Sequence, residues 1–173
     1  MKRFLVVVDM QNDFVDGALG SAEACAIVPA AAEKIRGFEG QIFATFDTHF
    51  ENYAETAEGR KLPVPHCIKG SSGWQLNADI AAALDEKGFT AVEKYTFGSV
   101  GLPGLIKEAA GDEEFSIELI GLCTDICVVS NALLLKASFP EAEIKVDGSC
   151  CAGVTPEKHE AALETMRSCQ IEC

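Results

Sequence analysis

Three side chains of different chemical type stand at the ends of apolar runs in this sequence. Asp9 closes FLVVVD, Lys94 closes FTAVEK, and Cys127 follows FSIELIGL within GLCTDICV. An acid, a base and a thiol that meet at one place satisfy the requirements for an activated nucleophile. Asp47 and His49, just after QIFATF, are a further reactive pair in a comparable position. GLCTDICV holds two thiols, Cys123 and Cys127, and by itself leaves three uses open: a metal clip, a disulfide, or one nucleophile beside a bystander. Cys127 falls in the first turn of a helix that Thr124 would cap. Backbone N–H groups and the helix dipole there favour a thiolate and predict a lowered thiol pKa, with the opposing charge of Asp125 directed at solvent. Plainer roles exist for each residue. Cys127 could be an ordinary buried cysteine, Asp9 a loop cap and Lys94 a surface lysine. Convergence of all of them at one edge is what favours chemistry.

The elements that must bring them together can be read from the apolar pattern. Short β-branched runs at 4–9, 41–46, 89–94, 115–122 and 142–147, with a weak one at 169–173, predict strands, and the continuous first run predicts a strand buried on both faces. Helical patterns lie between them at 27–38 (with Pro29 near the start), 76–88, 102–111, 124–138 and 155–168. In the last, Thr155 is placed to cap and Pro156 to take the first helical position. Strand–helix alternation predicts right-handed βαβ units and a three-layer α/β/α fold on a mostly parallel sheet. Ligands in such sheets bind beyond the carboxyl ends of the strands, which is where the reactive residues stand. The one long connection, 47–73, shows no regular pattern of its own and carries two of the three histidines, His49 and His66. A loop of that length in a compact domain is expected to be functional. His159, on the amphipathic last helix, reads as solvated.

Residues 1–173 fit a single domain, long enough to bury a core without staples. Lys and Arg number 14 against 27 Asp and Glu, a formal charge of −13, which argues against a nucleic-acid partner. The apolar start is broken at Asp9 with no cleavage site after it, and no run approaches membrane-spanning length. Eight cysteines at irregular spacing, with nothing to direct export, read as reduced thiols of a cytoplasmic protein.

VVVDMQNDF, EKYTFGS and GLCTDICV, in that order and across essentially the whole chain, resemble the cysteine hydrolase superfamily that contains isochorismatases and nicotinamidases. The resemblance implies a catalytic triad of Asp9, Lys94 and Cys127 and a six-stranded parallel sheet of order 3-2-1-4-5-6, with the first and fourth strands adjacent. It also implies a cis peptide between Leu122 and Cys123 and an oxyanion hole from the backbone N–H groups of Cys123 and Cys127, so that Cys123 contributes main chain. Alanine-like residues often stand at that place in the family. Asp47, His49 and His66 match the metal site of the nicotinamidase branch, with Glu58 a further candidate ligand. Two imidazoles and a carboxylate suit zinc first, then manganese or ferrous iron.

The implied substrate is a small aromatic carboxamide, nicotinamide first, as in NAD salvage. Phe14, Leu122 and Tyr95 are expected to contact it, and Phe97 and Trp74 are further aromatics available to its ring. Alternatives are the same fold acting on another amide, a carbamoyl compound or a vinyl ether, a thiol redox or binding module on Cys123 and Cys127, and a catalytically silent binding protein. Members of the family often form homo-oligomers.

Overall fold

The computed structural model describes residues 1–173. Strand β1 (Lys2–Val8) organises it, because both faces of the strand are apolar. Side chains alternate across a strand, so Leu5 and Val7 enter one core and Phe4, Val6 and Val8 the other. The first core lies under α1 (Asn12–Val15), α2 (Ala22–Gly37) and α4 (Ala78–Lys87), through residues such as Phe14, Ile35 and Leu84. The second lies under α5 (Leu102–Ala110), α6 (Val129–Ser138) and α7 (Pro156–Ser168), through Ile106, Leu135 and Met166. Between them β2 (Gln41–Asp47), β3 (Thr90–Lys94), β4 (Phe115–Leu122) and β5 (Glu143–Ala152) join β1 in a parallel sheet. The result is the expected three-layer α/β/α sandwich.

The sheet has five strands in the order β3-β2-β1-β4-β5, not six. The weak segment 169–173 stays outside it. Gln170 turns with φ +64°, and only Glu172 then bridges to Lys145, through Val146 N–H to Glu172 O (2.7 Å) and Glu172 N–H to Ile144 O (3.0 Å). Helix α2 begins at Ala22, earlier than expected, capped by Ser21 Oγ accepting from Ala24 N–H, so Pro29 lies inside the helix. Thr155 caps α7 by accepting from Lys158 N–H, with Pro156 in the first turn. The connection 47–73 is more regular than its sequence suggests. It contains a 3₁₀ turn at Tyr53–Glu55 and the short α3 (Ala57–Lys61), which carries Glu58.

Gly121 decides how closely β4 approaches β1. Its φ is +120°, and a side chain there would collide with the carbonyl of Val8, the residue it pairs with. Gly121→Ala is expected to cost roughly 2 kcal/mol or more. Thermal unfolding of the variant beside the parent protein checks this.

Candidate active site

Beyond Val8 the chain turns sharply at Asp9, which takes φ +48°, a left-handed conformation uncommon for a residue with a side chain. Asp9 N–H donates to the carbonyl and hydroxyl of Thr45 on β2, both at 3.2 Å, and Thr45 Oγ1 donates back to Asp9 Oδ1 at 2.6 Å. The other oxygen, Oδ2, lies 2.7 Å from Lys94 Nζ as an ion pair. Lys94 is almost wholly enclosed, and its ammonium reaches three more acceptors: Asp47 Oδ1 at 3.1 Å, Thr96 O at 3.2 Å and Cys127 Sγ at 3.4 Å. Asp9, Lys94 and Cys127, from three separate segments, thus share one buried point.

Burial pushes the Asp9 carboxyl up from its ordinary range, and the ammonium of Lys94 restrains the rise. Although burial opposes it, the Lys94 ammonium is held well above a usual lysine by Asp9, Cys127 and Asp47. The Cys127 thiol is raised well above its ordinary value, first by burial and then by the charge of Asp9. The lowering expected from its helical position is therefore reversed, because enclosure and a neighbouring carboxylate outweigh the helix dipole.

The segment presenting the thiol is a π-helical turn, Thr124–Val128, leading into α6. The Leu122–Cys123 peptide is cis. Cys123, not Thr124, stands at the N-cap, and its carbonyl accepts from Ile126 and Val128 N–H, both at 3.1 Å. No protein acceptor takes the N–H of Cys123.

A second cluster adjoins the first through Asp47. His49 Nε2 lies 3.0 Å and His66 Nε2 3.6 Å from Asp47 Oδ2, and Glu58 Oε1 lies 3.7 Å from each ring nitrogen. One ligand atom from each of Asp47, His49 and His66 falls within 4.8 Å of the others. Donors about 2.0–2.2 Å from a common ion must be spaced in this way. His66 Nδ1 faces the Val64 carbonyl at 2.8 Å, which fixes the ring with Nε2 toward the cluster, as an outer partner does for a metal-bound imidazole. The donor set fits a divalent cation. Although burial opposes it, hydrogen bonds from His49 and His66, with the charge of Lys94, hold the Asp47 carboxyl far below the usual carboxylate range.

Residues 3–173 match the Isochorismatase domain. The chain belongs to the isochorismatase family. It is 29% identical over 191 residues to a nicotinamidase/pyrazinamidase of Mycobacterium tuberculosis, covering 98% of this chain and 97% of that protein. Among solved structures it is similar to the nicotinamidase/pyrazinamidase of Bacillus subtilis, at a TM-score of 0.85 and 25% identity over 99% of this chain and 98% of that one. It is also similar to the pyrazinamidase of Pyrococcus horikoshii in complex with zinc, at a TM-score of 0.81 and 28% identity, with 99% and 98% covered.

In this family member a cavity of about 450 Å³ opens over both clusters, lined by Phe14, Glu58, His66, Tyr95, Phe97 and Cys127 among others. Two expected contacts fall outside it. Leu122 is buried in the core under α2, and Trp74 packs on Phe46 while its indole N–H donates to Thr48 Oγ1 at 3.0 Å. His159 is not merely solvated: its Nδ1 pairs at 2.7 Å with the hydroxyl of Thr124, which is fully enclosed. Asp125 Oδ1 accepts from Val154 N–H at 2.9 Å, so the turn that carries Cys127 is tied to the β5–α7 junction at two points. Thr45 and His159 carry no motif of their own, and only the fold reveals what they touch.

Replacing Lys94 by Met leaves two carboxylates buried without their cation. A stability loss of about 3–5 kcal/mol is expected, and adding Asp9→Asn should restore part of it. Denaturant unfolding of the single and double variants measures both effects.

Proposed function

We propose that this chain is a metal-assisted cysteine amidohydrolase that converts nicotinamide to nicotinate and ammonia through a thioester on Cys127. The observation that carries the reading is the position of Lys94, whose single ammonium lies against Asp9, Cys127 and the metal-cluster residue Asp47 at once. The relatives named nicotinamidase or pyrazinamidase, matched over nearly their full length, support the same substrate class.

Burial and the charge of Asp9 favour the protonated thiol, so Asp9 takes its proton as the sulfur attacks the amide carbonyl. Lys94 keeps Asp9 ionised until that moment and holds it in place against the sulfur. The developing oxyanion is received by the N–H of Cys123, which no protein acceptor occupies, together with that of Cys127. Asp9 then returns the proton to the leaving nitrogen. Ammonia departs and leaves the acyl group on sulfur. Water, deprotonated by Asp9, attacks the thioester, and nicotinate leaves as the thiol is restored. Asp47, His49, His66 and Glu58 would hold the cation, zinc foremost, which when bound supplies a Lewis-acidic anchor for the pyridine nitrogen. Phe14, Tyr95 and Phe97 supply apolar and aromatic surface to the ring. A thiol-redox role for Cys123 is disfavoured, since burial and the charges of Asp125 and Asp9 push its thiol up to about 12 and leave little thiolate to exchange.

Ammonia release from nicotinamide should disappear in Cys127→Ala, and kcat should fall by about 10²–10⁴ in Asp9→Asn. Full turnover by Cys127→Ala would remove the covalent mechanism. Stripping the protein with a chelator is expected to reduce turnover, zinc to restore it, and elemental analysis to find one transition metal per chain. Sustained activity in a metal-free preparation would count against His49 and His66 as ligands.

A further inference from the structure

The segment VVVDMQNDF supplies more than Asp9. Gln11 is completely enclosed, and its side-chain amide brackets the main chain of Asp47: Oε1 accepts from Asp47 N–H at 2.8 Å, and Nε2 donates to Asp47 O at 2.9 Å. The same nitrogen donates to Trp74 O at 2.9 Å, which joins the far end of the long connection to the end of β2. This is the hydrogen-bond pattern of a neighbouring strand, made by one side chain where the sheet has run out.

Asp13 performs the matching task on His66. Its Oδ2 accepts from Cys67 N–H at 2.7 Å, immediately after the histidine, and its Oδ1 accepts from Ala18 N–H at 3.3 Å. Cys67 is completely buried at φ +47°, and its carbonyl accepts from His49 N–H at 2.9 Å. His49 O in turn accepts from Lys69 N–H at 2.9 Å. The peptide that Asp13 captures is thus part of a short ladder holding the two histidines side by side, their rings 4.7 Å apart. Gly73 makes room for the carboxylate, since any side chain there would collide with it, and Asp13 N–H donates to Gly73 O at 3.0 Å. Neither Gln11 nor Asp13 lines the cavity.

We propose that Gln11 and Asp13 are positioning residues for the metal site, Gln11 fixing the main chain that carries Asp47 and Asp13 fixing the loop that presents His66. The inference rests on the metal reading above. Donors on segments remote in sequence must converge within a few tenths of an ångström to bind a cation tightly, and partners behind the ligands set that convergence.

Zinc(II) affinity of the full chain, measured by competition with a chromophoric chelator, is the test. Asp13→Ala and Gln11→Met are each expected to bind zinc about 10–100-fold more weakly than the parent. The rate at which iodoacetamide alkylates Cys127 in Asp13→Ala should be unchanged, because Asp13 does not touch the triad. A general loss of structure would move both readouts, whereas a positioning role moves only the first. Parent-like zinc affinity in both variants overturns the inference and leaves the metal reading standing. Absence of zinc binding in the parent removes the metal reading and this inference with it. Should Asp13→Ala fail to fold, hydrogen exchange in the parent decides: a Cys67 amide that is protected, and more so with zinc, supports the role of Asp13, and one that exchanges at the unprotected rate overturns it.

Discussion

One buried ammonium organises this molecule. Lys94 has almost no contact with water, so its charge survives only because Asp9 and Asp47 face it at 2.7 and 3.1 Å. Enclosed ion pairs are costly to assemble and depend on close geometry and further hydrogen bonds. Those bonds are present: Thr45 on Asp9, the Thr96 carbonyl on Lys94, and the His49 ring on Asp47. Two carboxylates against one ammonium leave a net negative charge. Burial, and after it the charge of Asp9, favours the protonated Cys127 thiol on one side, while the excess negative charge suits a cation beside Asp47 on the other. The proposed nucleophile and the candidate metal cluster draw on the same charge arrangement.

Sheet topology makes the arrangement possible. Asp47 and Lys94 are register partners across β2 and β3, so their side chains leave the same face of the sheet at its carboxyl edge. Val8 is paired with Thr45 on one side and Gly121 on the other, which sets Asp9, one residue on, between the end of β2 and the turn that carries Cys127. The reversal of strand order beside β1 opens the crevice, and the long connection covers it with Glu58 and His66. No single segment contains the whole cluster. The parallel register assembles it.

Much of this was legible because strand ends announce themselves. FLVVVD, QIFATF and FTAVEK are β-branched and aromatic runs that stop at a charged residue, and in a doubly covered sheet such a stop marks the carboxyl edge. Other features had no such signal. CQIEC reads as a strand by composition, but a left-handed turn at Gln170 isolates it after one bridge. Pro29 looks like a helix start by local preference, yet Ser21 supplies a cap further upstream and the packed alanines carry the helix through. Helical position predicts a lowered Cys127 pKa, but burial is a property of the whole fold and acts the other way. The partners of Thr45 and Thr124 belong to the same class, since a hydroxyl carries no mark of the group it will meet.

A thiol kept neutral at rest changes where catalytic power must come from. An enzyme that stores a thiolate lowers the cost of forming the nucleophile before substrate arrives, but gives up some intrinsic nucleophilicity as the pKa falls. In the mechanism proposed above, the proton transfer to Asp9 has to accompany attack. As it does so, negative charge moves from the carboxylate toward the substrate oxygen, and Lys94, in contact with both Asp9 and the sulfur, remains beside the charge throughout. The buried environment that penalises an isolated thiolate penalises far less a state in which the same charge is spread over sulfur, oxygen and backbone N–H donors. On that mechanism the site discriminates against the free anion and in favour of the transition state, which is the condition for differential binding to raise the rate.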